Sequence, residues 1–144
     1  MTQTDLPDLN VWLALSFNGH AHHARATAYW NRERRNLIAF CSVTLIGLPR
    51  LLTTSAVTLG KPFAPDIAAR KCQEFLDLPD VEFLPDTASL FRRIEMWAKE
   101  PFFTPKLWTD AWIAALALEH GCRVVSFDAD FARFPGLDFL HLQL

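Results

Sequence analysis

The chain has 144 residues, of which 51% are hydrophobic and 21% are charged, and this balance excludes an intrinsically disordered protein. The length predicts a single domain over residues 1–144, because domains usually hold about 100–200 residues. The 14 basic and 16 acidic side chains give a net charge of −2. No overall positive field therefore attracts nucleic acid, and any contact with nucleic acid must be local.

The sequence favours a cytoplasmic protein that does not enter membranes. No apolar run reaches the roughly 18 residues that a membrane span needs. The first apolar stretch, residues 11–17, follows acidic residues, whereas a secretory signal begins with basic ones. The cysteines Cys41, Cys72 and Cys122 lie far apart, which is typical of reduced core thiols in the cytosol.

The first half of the chain predicts two strands and four helices. In order these are a short strand that runs into a turn (5–10), a brief helix (11–15), a longer helix (20–35), a strand (37–41), a helix capped by Ser42 (43–53) and a helix (64–78). The strand at 37–41 is apolar throughout, as expected when helices cover both faces of a parallel sheet.

The second half continues the alternation of strands and helices. It predicts a strand (81–84), a helix capped by Asp86 or Thr87 (to about 99), a helix (104–120), a strand (123–127), a turn or helical piece (128–134) and a last strand (139–142). This alternation predicts an α/β fold with a mostly parallel central sheet in a three-layer α/β/α arrangement.

Three aspartates stand where predicted strands end or a helix begins. Asp8 follows the first strand, Asp128 follows the strand at 123–127, and Asp110 opens the apolar helix that leads into that strand. Each alone can be a helix cap or a first-turn acid, which the helix dipole favours by about 0.3–1 kcal/mol. Together they indicate a site, because parallel strands end at one edge of a sheet, where ligands usually bind.

Three carboxylates at one edge repel one another, and burying them without partners costs free energy. A divalent cation removes this cost. Mg²⁺ is the natural candidate, because it binds hard oxygen ligands and usually takes one or two carboxylates, several waters and a substrate phosphate.

These motifs resemble those of the PIN-domain ribonucleases, and within them the VapC-like toxins of type II toxin–antitoxin pairs. The resemblance rests on residues 6–11 (LPDLNV), 109–111 (TDA) and 126–131 (SFDADF), followed by 135–137 (PGL). Their order and spacing match over nearly the whole chain.

The resemblance implies a PIN-like domain with Mg²⁺- or Mn²⁺-dependent endoribonuclease activity. It also implies a protein that is usually a homodimer and is inhibited by a cognate, VapB-like antitoxin. Asp8, Asp110 and Asp128 carry over as the catalytic and metal-binding residues, and we call these three the acidic centre. Asp130 is an alternative for the last position, and Asp128 or Asp130 can orient the attacking water.

The chain departs from the family pattern in the helix after the second strand. PIN domains commonly carry a glutamate there, and Gly47 stands at the corresponding position. This loss removes one carboxylate and leaves open whether one metal or two are bound. Arg50 either approaches the acids or a phosphate, or is a solvated side chain. Asn10 and Thr44 are expected to hydrogen-bond the carboxylates, as residues around metal ligands commonly do.

RNA would have to be held by local cations, which can equally be solvated. The candidates are Arg32, Arg34, Arg35, Arg92, Arg93 and Lys106. The aromatic stretch from Trp97 to Trp112 either leaves an exposed groove for a partner or fills the core.

Two functions fit the sequence. One is a Mg²⁺-dependent endoribonuclease that acts as a toxin. The other is a catalytically weak or inactive PIN-like module that binds RNA or regulates, which the missing glutamate and Pro7 in the first strand favour.

Overall fold

A five-stranded parallel sheet forms the centre of the computed structural model, which describes residues 3–144. The strands are β1 (Thr4–Pro7), β2 (Leu37–Phe40), β3 (Val81–Phe83), β4 (Arg123–Ser126) and β5 (Phe139–His141). Their order across the sheet is β3-β2-β1-β4-β5, and all four neighbouring pairs are parallel. β1 is therefore the central strand, with β4 beside it.

Helices cover both faces of this sheet, so the predicted three-layer α/β/α fold is confirmed. The helices are α1 (Leu9–Ser16), α2 (His23–Arg32), α3 (Ser42–Leu52), α4 (Pro65–Leu76), α5 (Leu90–Trp97) and α6 (Trp108–His120). Short 3-10 helices occupy Pro105–Leu107 and Ala129–Arg133. The first four helices pack on one face of the sheet, and α5 and α6 pack on the other.

The alternation of side chains along the strands decides which residues face which layer. Leu6 on β1 and Val124 on β4 pack against α5 and α6, whereas Ile38 and Phe40 on β2 pack against the opposite layer. Both faces of the sheet are thus apolar, as the uninterrupted apolar run in β2 predicted.

Helices α5 and α6 begin later than predicted, and α2 begins at His23 instead of residue 20. α6 begins at Trp108, because residues 105–107 form a 3-10 turn in which the Leu107 N–H donates to the Thr104 carbonyl oxygen at 2.9 Å. α5 begins at Leu90 and has Ser89 as its N-cap residue. Asp86 does not cap α5, because its carboxylate accepts hydrogen bonds from Ser42 and from Trp112.

The N-terminal edge of the sheet holds a dense ionic network. Arg35 pairs with Asp138 at 2.7 Å, and Arg34 pairs with Asp80. Both acids lie just before a strand, at the edge where the strands begin. Arg34 and Arg35 therefore lie far from the ends of β1 and β4, and their predicted contact with RNA stays a prediction.

Among residues 3–144, no helix has the length and apolar character that a membrane crossing requires. The three cysteines are buried, as predicted.

Candidate active site

Asp8 stands directly after β1, at the edge where the strands end. Its backbone N–H donates to the Val125 carbonyl oxygen at 2.8 Å, which continues the β1–β4 pairing by one residue. Its Oδ1 accepts a hydrogen bond from the Leu9 N–H at 2.7 Å and so caps α1. The side chain shares the alternation of Leu6, which directs it toward α6, and the residue is only 8% exposed. Asp8 is thus both a helix cap and a buried acid.

Ser126, the last residue of β4, organises the polar groups around Asp8. Its hydroxyl donates to Asp8 Oδ2 at 2.9 Å. The Ser126 Oγ also accepts hydrogen bonds from the Asp128 N–H at 2.9 Å and from Asn10 Nδ2 at 3.2 Å. Asn10 therefore reaches Asp8 through Ser126 and not directly.

Sequence reasoning placed Ser126 in a motif but gave it no role. In the structure Pro7 pairs with Val125, so Ser126 lies opposite Asp8 and faces the same layer.

The two aspartates that follow β4 have different surroundings. Asp128 Oδ1 accepts a hydrogen bond from the Asp130 N–H at 2.9 Å and caps the 3-10 helix at Ala129–Arg133. Asp130 forms ion pairs with Lys106 at 3.2 Å and with Arg133 at 3.4 Å. These two cations offset the charge of Asp130, so Asp128 is the better candidate for the third acid. Sequence reasoning missed Arg133.

Asp110 lies in the first turn of α6, facing the other acids. Burial raises the pKa of its carboxyl to about 7, and the negative charges of Asp8, Asp128 and Asp130 act in the same direction. Burial also raises the pKa of Asp8, against the lowering effect of its hydrogen bonds with Ser126 and Leu9. A pKa near 7 means that the folded chain resists placing a full negative charge at Asp110.

The α3 side of this edge differs from the expectation. The Thr44 hydroxyl accepts a hydrogen bond from the Cys41 N–H at 3.0 Å and donates to the Cys41 carbonyl oxygen at 3.1 Å. Its single proton is used within the start of α3, so the prediction that Thr44 hydrogen-bonds the carboxylates is wrong. Arg50 is exposed, and in the described part of the chain it forms no ion pair with an acid. This matches the alternative of a solvated arginine.

Gly47 is buried where α3 approaches α1. A Cβ atom built at Gly47 would stand 2.6 Å from Cδ2 of Leu9, the residue next to Asp8. The Leu9 side chain therefore occupies the space in which the family resemblance places a glutamate. At this close approach of the two helices, any side chain at position 47 would press on Leu9.

The donor set at this edge fits a hard cation by its chemistry. Within residues 3–144, no group of three or more Asp, Glu, His or Cys side chains is gathered closely enough to hold a metal ion. Mg²⁺ does not need such a cage, because it keeps several waters and binds through one or two carboxylates. Burial is the main cause of the raised pKa values of Asp8 and Asp110, and repulsion from neighbouring acids adds to it; a bound cation would offset both. Asp8, Asp110 and Asp128 are the residues that would hold it.

The aromatic stretch between Trp97 and Trp112 both fills the core and borders a groove. Trp97 and Ile113 are buried, whereas Trp112 is half-buried and donates from Nε1 to Asp86 at 2.9 Å. A cleft beside α5 is lined in part by Trp97, and its use by a partner stays a prediction.

The chain is similar to known proteins along most of its length. A family model described as PIN domain matches residues 6–137. Ribonuclease VapC41 of Mycobacterium tuberculosis is 33% identical over 141 residues, which cover 92% of this chain and 94% of that protein.

Solved structures share the fold. VapC20 of Mycobacterium tuberculosis, described as a sarcin–ricin loop cleaving toxin, has a TM-score of 0.71 at 19% identity and covers 93% of this chain and 97% of its own. A DNA-bound VapBC from Salmonella typhimurium has a TM-score of 0.67 at 21% identity and covers 99% of this chain and 100% of its own. At these identities the likeness concerns the fold alone.

Proposed function

Because this chain belongs to the PIN domain family, and within it to the VapC branch, we propose that it is a Mg²⁺-dependent endoribonuclease that acts as the toxin of a toxin–antitoxin pair. The reaction is hydrolysis of RNA phosphodiester bonds at the acidic centre. The proposal is supported by the hydrogen bonds of Ser126 with Asp8 and Asp128 where β1 and β4 end, and by the negative charges of Asp8 and Asp128 that help raise the pKa of Asp110. Ribonuclease VapC41, which covers nearly the whole chain, supports it.

The metal is proposed to be Mg²⁺, with Mn²⁺ as a substitute. When bound, such an ion supplies a water of lowered pKa and positive charge beside the scissile phosphate. The chain's own groups orient and shield the reaction. Ser126 holds Asp8 Oδ2, and the Asp130 N–H holds Asp128 Oδ1, so both carboxylates have fixed orientations. Asp128 is proposed to orient the attacking water and accept its proton.

Lys106 is proposed to contact an RNA phosphate near the acids. Its ammonium lies 3.2 Å from Asp130 Oδ2, and its side chain is 69% exposed. An exposed lysine on a flexible stem can leave an ion pair that contributes about 1 kcal/mol or less and bind a phosphate instead.

A VapB-like antitoxin and a second copy of this chain are the proposed protein partners. The similarity to the fold of a VapBC supports the first. Cytoplasmic residence is proposed because three buried cysteines, far apart along the chain, suit a reducing compartment.

A second candidate is a catalytically weak or inactive PIN-like module that binds RNA or regulates. One observation favours it: Leu9 fills the space beside Gly47, so α3 adds no carboxylate to the acidic centre. Cleavage measurements separate the two candidates.

The decisive experiment compares Asp110→Asn with Asp66→Asn. Asp66 is also a first-turn acid, but it is exposed on α4, far from the acidic centre. Cleavage of single-stranded RNA with Mg²⁺ is expected to fall by about 100-fold or more in Asp110→Asn, since a metal contributes several kcal/mol to the barrier. Asp66→Asn is expected to cleave like wild type. Cleavage by Asp110→Asn as fast as by wild type would disprove the proposal. The absence of cleavage by both proteins would favour the inactive module.

A further inference from the structure

A cleft of about 800 Å³ lies between α5, α6 and the 3-10 helix at Ala129–Arg133. This volume is within the range of roughly 300–1,000 Å³ that is usual for ligand pockets. The acidic centre does not line it, so the cleft is a separate feature of the same face of the molecule.

Arg133 connects the cleft to the acids. Its side chain lines the cleft, and its Nε lies 3.4 Å from Asp130 Oδ1. The charge of Asp130 in turn raises the pKa of Asp110. A polymer bound at the acidic centre would therefore meet Arg133 and then the cleft.

The walls of the cleft carry more positive than negative charge. Arg92, Arg93 and Arg133 line it together with Glu100 and Glu119. In the part of the chain that the structure describes, neither glutamate lies within 4.0 Å of a basic nitrogen. Arg92 and Arg93 thus form no ion pair in the described part of the chain, whereas Arg133 is paired with Asp130. Two guanidinium groups of the cleft are therefore available to a ligand.

Apolar side chains lie between the charged groups. Met96 on α5 is 67% exposed. Phe102 is half-buried beside Arg133, and Nη1 of Arg133 lies 3.5 Å from the Phe102 carbonyl oxygen. Arginines separated by apolar and aromatic surface suit a single-stranded nucleic acid, since guanidinium groups bind phosphates and bases stack on apolar surface.

We propose that this cleft binds the sugar–phosphate backbone of single-stranded RNA as the strand continues away from the acidic centre, with Arg92 and Arg93 contacting phosphates. The inference rests on the proposed ribonuclease function and adds a substrate-binding surface to it. An acidic protein segment has similar charge, but the continuity of the cleft with Asp130 through Arg133 favours the substrate.

The test measures RNA binding without cleavage. A fluorescent single-stranded oligoribonucleotide is titrated with protein in EDTA at several salt concentrations. Arg92→Gln/Arg93→Gln is compared with wild type and with Arg70→Gln, which removes an exposed arginine from α4 on the opposite face of the sheet. Each lost phosphate contact is expected to reduce the slope of log K against log salt by about 0.7. The double variant should therefore lose about 1.4 from the slope, and Arg70→Gln should lose nothing.

An unchanged slope in the double variant would overturn the proposal. If a polyglutamate peptide then bound wild type but not the double variant, the cleft would belong to an acidic protein partner. Failure here is distinct from failure of the proposed function, because Mg²⁺-dependent cleavage that requires Asp110 would remain in the first case and be absent in the second.

Discussion

Two aspartates only three residues apart, Asp5 within β1 and Asp8 at its end, are shielded from water in different ways. Asp5 is fully buried and accepts hydrogen bonds from Tyr29 at 2.6 Å and from Arg123 at 2.8 Å. Asp8 accepts only neutral donors, the Ser126 hydroxyl and the Leu9 N–H, and within residues 3–144 no cation lies within 4.0 Å of it.

This difference separates a structural acid, Asp5, from the acid that we propose to be functional, Asp8. A buried charge that has its own cation is complete within the chain and needs no ligand. A group of buried acids without a cation is stable only with protons or with a metal. The two edges of one sheet therefore differ: the buried acid at the edge where the strands begin has its own cation, whereas Asp8 at the edge where they end has none, as the proposed metal site requires.

The largest expected effect comes from exchanging the two aspartates for asparagine. Asp5→Asn is expected to lower the free energy of unfolding by about 3–5 kcal/mol, because it leaves the buried side of Arg123 without a negative partner. Asp8→Asn is expected to change the free energy of unfolding only slightly or to raise it. The substitution removes repulsion between charges, and asparagine also caps helices well. Urea unfolding in EDTA measures both. A loss as large in Asp8→Asn as in Asp5→Asn would contradict the contrast between the two edges.

The next effect is on the dependence of stability on pH. Asp110 has a pKa of about 7 in the folded chain against 3.8 as its ordinary value, so the folded state holds an extra proton between these values. The metal-free protein should therefore lose stability as the pH rises from about 4 to about 7, by about 2 kcal/mol after allowance for partial exposure to solvent.

The difference between wild type and Asp110→Asn isolates this contribution from the histidines. As the pH rises, the free energy of unfolding of Asp110→Asn is expected to increase relative to that of wild type. Unfolding in EDTA at each pH measures it, and two parallel curves would contradict the prediction.

The smallest effect concerns the contact between α1 and α3. Alanine at Gly47 should improve helix propensity by up to about 1 kcal/mol, but its Cβ would press on Leu9. Gly47→Ala is therefore expected to be less favourable in wild type than in a Leu9→Ala background, with a coupling energy of about 1 kcal/mol. A double-mutant cycle measures this, and strictly additive effects would show that Leu9 does not restrict position 47.

Much of the fold followed from the sequence because apolar strand runs and helix boundaries are local patterns. Asp8 and Asp128 could be placed together because parallel strands end at one edge. Arg34 and Arg35 could have been placed at the opposite edge by the same rule, since they lie shortly before β2, where strands begin.

Other features of the site depend on contacts that the sequence does not show. Thr44 hydrogen-bonds its own helix start, which competes with any longer-range partner. Leu9 and Gly47 meet only because α1 and α3 pack closely, and the departure from the family pattern at Gly47 gave no indication of what fills the space.

The most direct test of the account is thermal unfolding with and without Mg²⁺ or Mn²⁺, because it does not depend on the RNA target. At a metal concentration of 100 times Kd, wild type is expected to gain about 2.7 kcal/mol of stability. Asp66→Asn should gain as much, whereas Asp8→Asn and Asp110→Asn should gain little or nothing. A wild-type melting temperature that does not respond to either metal, or an equal response in all four proteins, would contradict the claim that the acidic centre holds a divalent cation.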